Sequence, residues 1–278
     1  MAYLNYGLSG CTLEIIDHSI IRKWSSNHNY NTRLYAQAIK QEIKSIKQYN
    51  TFAIPKIKKI NTTDLFYFDM EYIHCKSFNE YFYELSPYAI SKFIQFIDEY
   101  FASLSPTDKY SSDEIKYIIL QKISSLNHSN YTNFIVFLEK KVKSIYFSPT
   151  YKEVCHGDLT MSNILFTDEK YYLIDFLDSY FESGIIDLVK LKQDLYYHWI
   201  LKINNITNLK AYQISSHIWK CIENKYINNI NTDLFKILEI INWLRIEPYI
   251  KNNNYLIILD NIIKENKLYH EFNNSHCR

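Results

Sequence analysis

The sequence has little glycine: of its 278 residues only four are glycine, at Gly7, Gly10, Gly157 and Gly184. Glycine reaches backbone conformations that other residues avoid, and it lets another chain segment approach closely. A chain that uses glycine so rarely is expected to keep it where one of these properties is required. Two of the four lie three residues apart near the start, and a third stands inside a His-Gly-Asp triplet. These two places are therefore the first candidates for functional loops.

Cysteine pairs, long apolar runs and a strong net charge are also missing. The five cysteines are scattered without a Cys-x-x-Cys pair, which argues against a disulfide framework or a zinc site and favours a reducing compartment. No apolar run approaches the ~20 residues of a membrane span, and the first residues lack the features of a secretion signal. The net charge of +1 predicts no general attraction to nucleic acid. We expect a cytoplasmic protein with no membrane span and no nucleic-acid partner, and we make no prediction of its oligomeric state.

What is present is a change of periodicity along the chain. Residues 1–73 alternate short apolar runs with turn residues, which predicts strands within 13–24 and 57–73 and one helix at 32–49. Residues 74–278 have mostly helical spacing, interrupted by a predicted hairpin. The sequence therefore predicts an α+β fold with two domains, 1–73 rich in strands and 74–278 rich in helices. The helices predicted in the second domain cover 87–101, 113–125, 131–145, 185–203, 212–226, 233–246 and 255–266.

The residues from His156 to Asn163 carry a pattern that suits phosphoryl transfer. They read His-Gly-Asp, four further residues and Asn, and the hairpin that follows has a second strand ending at Asp175. With Asn163 entering one strand and Asp175 leaving the other, both side chains are expected at the same end of the hairpin. Amide and carboxylate oxygens there would suit Mg²⁺. Asp158, on the preceding loop, could orient a hydroxyl and accept its proton.

This pattern, followed by Ile-Asp-Phe, resembles the aminoglycoside phosphotransferase/choline kinase family, small-molecule relatives of the protein kinases. The resemblance implies a two-lobed protein-kinase-like fold, in which a small β-rich N-terminal lobe binds nucleotide and a larger helical C-terminal lobe carries the catalytic loop and acceptor site. It implies that Asp158 is the catalytic base and that Asn163 and Asp175 hold Mg²⁺. It also implies that His156 and Asp187 support the catalytic loop, because Ile-Asp-Leu at 186–188 matches the start of the family's bracing helix.

The same resemblance implies how the N-terminal lobe binds ATP or GTP. Gly7, Ser9 and Gly10 lie where a phosphate-covering loop belongs. Lys23, on the next strand, would position the phosphates and pair with Glu42 on the first helix. Arg22 is the adjacent alternative, and only one of the two can face the nucleotide, because neighbours on a strand point to opposite faces; we favour Lys23. The backbone of the hinge residues would pair with the adenine edge, which adds Glu71, Tyr72 and Ile73 to the nucleotide-binding residues.

Two other functions share this pattern, namely a protein kinase and a non-catalytic nucleotide-binding scaffold. Leu177 follows Asp-Phe where protein kinases have glycine, and Thr160 stands where they usually carry lysine. Both departures favour a small-molecule acceptor over a protein. The presence of all three polar residues, Asp158, Asn163 and Asp175, argues against a scaffold that has lost catalysis. The leading hypothesis is therefore a kinase that acts on a small-molecule hydroxyl.

The acceptor is predicted only as a chemical class. Asp178, just after the metal-binding strand, and Asp194, on the helix that carries Asp187, are candidates to bind sugar hydroxyls or an ammonium group. Residues 188–278 contain 12 Lys and Arg against 8 Asp and Glu, so no broad acidic surface for a polycation is evident. This favours a sugar or an amino alcohol over an aminoglycoside. The segment 174–199 is also similar to phosphotransferases of bacterial envelope-polysaccharide pathways.

Overall fold

A computed structural model describes residues 3–4, 11–63, 65–76, 80–81, 86–126, 130–227, 230–250 and 252–276. The strands, in chain order, are β1 (Tyr3–Leu4), β2 (Thr12–Ile15), β3 (Ile20–Trp24), β4 (Phe52–Ala53), β5 (Ile57–Asn61), β6 (Tyr67–Glu71), β7 (Pro106–Tyr110), β8 (Thr150–Glu153), β9 (Ile164–Phe166) and β10 (Tyr171–Leu173). The helices are α1 (Asn31–Ser45), α2 (Pro87–Ser103), α3 (Ser112–Ser124), α4 (Thr132–Ser144), α5 (Gly184–Leu195), α6 (Trp199–Ile203), α7 (Leu209–Tyr226), α8 (Thr232–Ile246), α9 (Asn253–Glu265) and α10 (Lys267–His276).

The chain divides into two compact units. Unit 1 comprises residues 1–103, 156–179 and 208–214, and unit 2 comprises residues 104–155, 180–207 and 215–278. A sheet of antiparallel strands lies in the N-terminal part, and helices dominate the C-terminal part. The predicted α+β class is confirmed. Each unit is made of three separate stretches of sequence, whereas the predicted domains, 1–73 and 74–278, are continuous. The predicted boundary after residue 73 therefore stays a prediction.

The N-terminal sheet of unit 1 has the strand order β1-β2-β3-β6-β5. The predicted hairpin is confirmed as β2 and β3, and its turn is stabilised by Asp17, whose Oδ1 accepts hydrogen bonds from the amide and hydroxyl of Ser19 at 2.7 and 2.8 Å. The predicted strand pair is confirmed as β5 and β6. Against this sheet α1 contributes Leu34 and Ala38, which are fully buried together with Phe68 of β6. The buried positions of α1 are spaced as in a helix, but they do not follow its apolar residues, since Ile43 is 59% exposed while Gln37 and Gln41 are buried.

A second, three-stranded sheet of unit 1 lies next to the candidate site residues Asn163 and Asp175. Its order is β4-β10-β9, with β10 parallel to β4 and antiparallel to β9. Aromatic rings fill the space beneath it: Phe96 of α2 lies 4.8 Å from Tyr171 and 5.6 Å from Phe52, measured between ring centroids. Such aromatic pairs add stabilisation beyond the apolar area that they bury. The hairpin β9–β10 was predicted, whereas the short β4 was not.

Among the described residues of unit 2, the regular structure is helical apart from the strand pair β7–β8, which the sequence did not predict. The helix predicted over 185–203 is in fact two helices, since α5 ends at Leu195 and α6 begins after His198, whose φ of 57° is left-handed and breaks the helical path. Within this unit Lys192 of α5 forms an ion pair with buried Glu239 of α8 at 2.7 Å. The last helix, α10, was also not predicted. In the part of the chain that the structure describes, no helix is both long and apolar enough to cross a membrane.

Candidate active site

The hairpin β9–β10 brings the two predicted metal ligands to one of its ends. Asn163 directly precedes β9, and Asp175 follows β10 after one intervening residue. The strands pair antiparallel, so that Ile164 lies opposite Leu173. The amide of Ile174 extends this pairing by donating to the backbone carbonyl of Asn163 at 3.1 Å. The residues predicted to share one end of the hairpin are therefore held there by backbone hydrogen bonds.

Asp158 and Asn163 are joined directly within the loop that precedes the hairpin. Nδ2 of Asn163 donates to the backbone carbonyl of Asp158 at 2.8 Å and to its carboxylate Oδ2 at 3.0 Å. The amide of Thr160 donates to the same carbonyl at 2.7 Å. Because Asn163 uses its amide nitrogen for Asp158, its side-chain oxygen keeps its acceptor capacity. The pair thus offers a positioned carboxylate and a neighbouring amide oxygen.

Gly157 occupies a position that admits only glycine. Its φ is +83°, and a Cβ atom at this position would lie 2.7 Å from the backbone oxygen of Leu177 and 3.2 Å from Cβ of Ser179. A side chain would therefore meet both an unfavourable backbone conformation and a steric clash. This accounts for one of the four glycines of the chain. It also shows that the loop before Asp158 packs directly on the segment after Asp175.

His156 ties the same two segments together. Its ring, fully buried, lies with Nε2 2.7 Å from the carbonyl of Ile174, and its backbone carbonyl accepts from the amide of Leu177 at 2.8 Å. Nδ1 accepts from the amide of Asp158 at 3.2 Å. Since Nδ1 acts as an acceptor, we assign the ring proton to Nε2, which donates to Ile174. Three hydrogen bonds thus hold His156 between these segments, and its predicted support of a catalytic loop stays a prediction.

Asp175 lies between these anchored neighbours in a left-handed conformation, with φ of 62°. Few residues other than glycine adopt it, although aspartate tolerates it better than most. Such a conformation persists only where the surroundings hold it, and it is most common at functional sites. The side chain of Asp175 is 35% exposed. It is therefore accessible to a ligand while its backbone is fixed on both sides.

Lys23, on β3, meets Asp175 inside unit 1. Lys23 is only 2% exposed, and its Nζ donates to Asp175 Oδ1 at 2.5 Å and to Gln37 Oε1 at 3.1 Å. Burial opposes the charge of the ammonium, but the adjacent carboxylate outweighs it and raises the pKa of Lys23 above its usual value. Arg22 points to the opposite face of the strand and forms two hydrogen bonds to Asp69 at 2.7 and 3.0 Å. Of the two cations, Lys23 is the one at the candidate site.

The predicted partner of Lys23 was wrong. Glu42 is exposed on α1, whereas the side chain that meets Lys23 from this helix is Gln37, which is 2% exposed. The physical reason is the helical repeat, because five residues place Glu42 well over a third of a turn away from Gln37. The buried positions of α1 are Leu34, Gln37, Ala38 and Gln41. A glutamine within an apolar stripe was the signal that could have identified Gln37.

Sequence reasoning also missed a contact made by Lys40. Its Nζ donates to the backbone carbonyl of Leu177 at 2.6 Å. Leu177 is the residue two positions after Asp175, and its carbonyl is the atom that packs on Gly157. No feature of the sequence distinguishes Lys40 from the other lysines of this region. The contact joins residues 137 positions apart, and only the folded structure identifies it.

Of the hinge residues, Glu71 ends β6 and Tyr72 and Ile73 follow it, and two of their amides are engaged within the protein. The amide of Glu71 donates to the carbonyl of Lys56 at 3.0 Å, and that of Tyr72 donates to Ser19 at 2.8 Å. Ile73 is the next residue, and its amide has no partner among the described residues. The predicted pairing of this backbone with a nucleotide base stays a prediction. The predicted phosphate loop, Gly7, Ser9 and Gly10, lies outside the described residues.

The donor set at the end of the hairpin fits Mg²⁺. Asn163 offers an amide oxygen and Asp175 a carboxylate, which are hard oxygen ligands, and Mg²⁺ usually takes few of these from a protein and completes its octahedron with water and substrate phosphates. The described residues contain no cluster of three or more His, Cys, Asp or Glu that could hold a metal ion. A site with two protein ligands and a phosphate partner is therefore the kind of metal site that these residues can form.

Three further predicted residues differ in how the structure places them. Asp187 lies buried in the first turn of α5, where a carboxylate interacts favourably with the helix dipole; its predicted support of the catalytic loop stays a prediction. Asp178 is exposed, one residue after Leu177. Asp194 is buried, 1% exposed. Its predicted role in binding the acceptor stays a prediction.

Comparison with known proteins places this architecture among the protein-kinase-like folds. No family model matches the sequence, and no curated protein matches it. Several solved structures do match, over nearly the whole chain. The fold is the two-lobed fold of the protein-kinase-like small-molecule kinases, as the sequence predicted.

Three of these structures illustrate the likeness. A thermostable mutant of the aminoglycoside phosphotransferase APH(4)-Ia, in complex with ADP and hygromycin B, aligns with a TM-score of 0.60 at 9% identity, covering 95% of this chain and 92% of that one. The GDP and kanamycin complex of APH(2")-IIia has a TM-score of 0.58 at 11% identity, covering 96% and 92%. A choline/ethanolamine kinase family protein from Mesorhizobium loti has a TM-score of 0.53 at 10% identity, covering 98% and 91%. At such low identities the likeness establishes the fold alone.

Proposed function

We propose that this protein is a Mg²⁺-dependent phosphotransferase of the aminoglycoside phosphotransferase/choline kinase family, which moves the γ-phosphate of ATP or GTP to a hydroxyl of a small molecule. The observation that carries the proposal is a pair of side-chain contacts within unit 1, Asp158 with Asn163 and Lys23 with Asp175, which the backbone of the hairpin β9–β10 brings to one end. These are a base, two oxygen ligands and a buried cation, the groups that phosphoryl transfer requires. The protein-kinase-like fold supports the same reading.

In this proposal Asp158 orients the acceptor hydroxyl and accepts its proton as the oxygen attacks the γ-phosphorus, while the bond from the γ-phosphorus to the bridging oxygen breaks and the nucleoside diphosphate leaves. The bond from Asn163 Nδ2 holds the Asp158 carboxylate in place. Lys23 binds the nucleotide phosphates, and its raised pKa keeps it charged at neutral pH. Mg²⁺ held by Asn163 and Asp175 would supply neutralisation of the phosphate charge.

The remaining nucleotide contacts are proposed from the sequence pattern. Gly7, Ser9 and Gly10 would cover the phosphates, and the amide of Ile73 would donate to the base. A solved structure with this fold contains ADP and another contains GDP, so both ATP and GTP are tested as co-substrates. The choice between them depends on the base, which the hinge backbone meets.

For the acceptor we propose a sugar or an amino alcohol, with a role in bacterial envelope-polysaccharide metabolism as the finer hypothesis. The absence of an acidic excess in residues 188–278 supports a weakly charged acceptor over a polycation, since binding a polycation needs complementary negative charge. Asp178, which is exposed and lies three residues after Asp175, is the candidate to bind an acceptor hydroxyl or ammonium group.

The test is phosphate transfer from γ-labelled ATP and GTP, with and without Mg²⁺, to a panel of sugars, choline and ethanolamine. We expect transfer to at least one acceptor, and Asp158→Asn is expected to slow it by ~10²–10⁴-fold, the usual loss when a general base is removed. The matched control is Asp168→Asn, because Asp168 is an exposed aspartate in the turn between β9 and β10. Absence of transfer to any acceptor, or a rate for Asp158→Asn within a few-fold of the wild type, would contradict the proposal. Transfer to proteins in a lysate alone would show a protein kinase instead.

A further inference from the structure

Helix α1 contacts residues 174–177, called here the Asp175 segment, at two points. Gln37 binds the ammonium of Lys23, which in turn donates to the carboxylate of Asp175. Lys40, three residues further along the helix, donates to the backbone carbonyl of Leu177. Residues three apart lie on the same face of a helix. A single face of α1 therefore contacts both the side chain of Asp175, through Lys23, and the backbone that follows it.

The contact of Lys40 holds an atom of the Asp175 segment that His156 does not bind, namely the carbonyl of Leu177. His156 bonds the carbonyl of Ile174 before Asp175 and the amide of Leu177 after it. The carbonyl of Leu177 is held by Lys40 instead. This carbonyl also lies close to Gly157, at 2.7 Å from the position that a Cβ would take. A shift of the carbonyl would therefore disturb the packing of the catalytic loop as well as the conformation of Asp175.

We propose that Lys40 is a positioning residue, which acts through the Leu177 carbonyl to keep Asp175 in the left-handed conformation where its carboxylate meets Lys23. Gln37 acts from the other side, and because it is neutral it holds the ammonium without competing with Asp175 for it. The backbone part of this inference stands on contacts alone. Its consequence for metal binding rests on the proposed function, in which Asp175 is a ligand of Mg²⁺.

The backbone part is tested by amide hydrogen exchange on the full chain, without nucleotide or metal. The probe is the amide of Leu177, and the variants are Lys40→Met, which keeps the length of the side chain, and Lys40→Arg, which keeps the donor. The matched control is Lys47→Met, at an exposed lysine just beyond the same helix. Loss of one charge-assisted hydrogen bond is expected to speed exchange at Leu177 roughly tenfold in Lys40→Met. Lys40→Arg and Lys47→Met should stay near the wild type.

Unchanged exchange at Leu177 in Lys40→Met would overturn the proposal. So would an increase spread evenly over the amides of both units, because that would show a general loss of stability and no specific positioning. Gln37→Leu provides a second route, since the same local increase is expected when the other anchor on α1 is removed. No local increase in Gln37→Leu would overturn the part assigned to Gln37.

The metal part is tested by the Mg²⁺ concentration that gives half-maximal turnover. Lys40→Met is expected to raise this concentration roughly tenfold, as for one lost charge-assisted hydrogen bond, with an unchanged KM for nucleotide at saturating Mg²⁺. A fall in kcat alone, with unchanged Mg²⁺ dependence, would overturn it. The two proposals fail separately. If the wild type turns over no nucleotide, the proposed function fails, and the exchange experiment still decides the positioning role of Lys40. If the wild type is active and Lys40→Met behaves like it in both experiments, the proposed function stands and the positioning role fails.

Discussion

The loop that carries Asp158 and the Lys23 side of the candidate site are held in opposite ways. In the loop, Asp158 is fixed by its neighbours: Thr160 and Asn163 donate to it from two and five residues away. Lys23 depends on Gln37 and Asp175, which are 14 and 152 residues away in sequence. The Asp158 carboxylate and carbonyl are therefore held from within their own loop. The position of the cation, in contrast, exists only when strand, helix and hairpin are assembled.

The sharpest test of this difference compares two adjacent cations on β3. Lys23→Met removes the ammonium from Asp175, and we expect a loss of turnover of about 10²-fold or more, as for other removed electrostatic groups. Arg22→Met removes the partner of Asp69, a buried carboxylate, and is expected to cost roughly 1–3 kcal/mol of stability with turnover within a few-fold. Steady-state kinetics and thermal unfolding of both variants measure this. Equal losses of turnover would mean that Lys23 has no special role.

The second prediction concerns the local side of the comparison. Gly157→Ala places a Cβ 2.7 Å from the Leu177 carbonyl at a φ of +83°. We expect a loss of roughly 1–3 kcal/mol in stability from the backbone conformation, together with reduced turnover as the loop shifts. Denaturant unfolding with parallel kinetics checks both. Gly184→Ala, in the first turn of α5, is a matched glycine replacement where no left-handed φ is recorded. Unchanged stability and turnover in Gly157→Ala would show that the loop does not need its close packing.

The smallest effect on stability and nucleotide binding is expected at Glu42, which the sequence wrongly predicted as the partner of Lys23. Glu42→Ala lies on the exposed face of α1, where substitutions usually change stability by no more than about 0.5 kcal/mol. Its KM for nucleotide should equal that of the wild type. Gln37→Ala, on the buried face, should raise KM and lower stability. A larger effect at Glu42 than at Gln37 would reverse our assignment of the partner of Lys23.

The same contrast explains how much could be predicted from the sequence. The hairpin from Asn163 to Asp175 and the role of Gly157 could be anticipated, because their determinants are local and lie within about twenty residues. The fold class followed from the change of periodicity. The partner of Lys23 and the contact of Lys40 with Leu177 could not be predicted, since both depend on which face of α1 packs against distant segments. The break at His198 was missed because it rests on one left-handed residue within an apolar helical pattern.

The central claim is that Asn163 and Asp175 form, with Lys23, a site for a metal-bound nucleotide. Its most direct test is isothermal titration of the wild type and of Asp175→Asn with a non-hydrolysable ATP or GTP analogue, with and without Mg²⁺. We predict that Mg²⁺ tightens binding to the wild type at least about tenfold, or ~1.4 kcal/mol, and that Asp175→Asn loses most of this gain. Binding that is independent of Mg²⁺, or a gain that Asp175→Asn retains in full, would contradict the account.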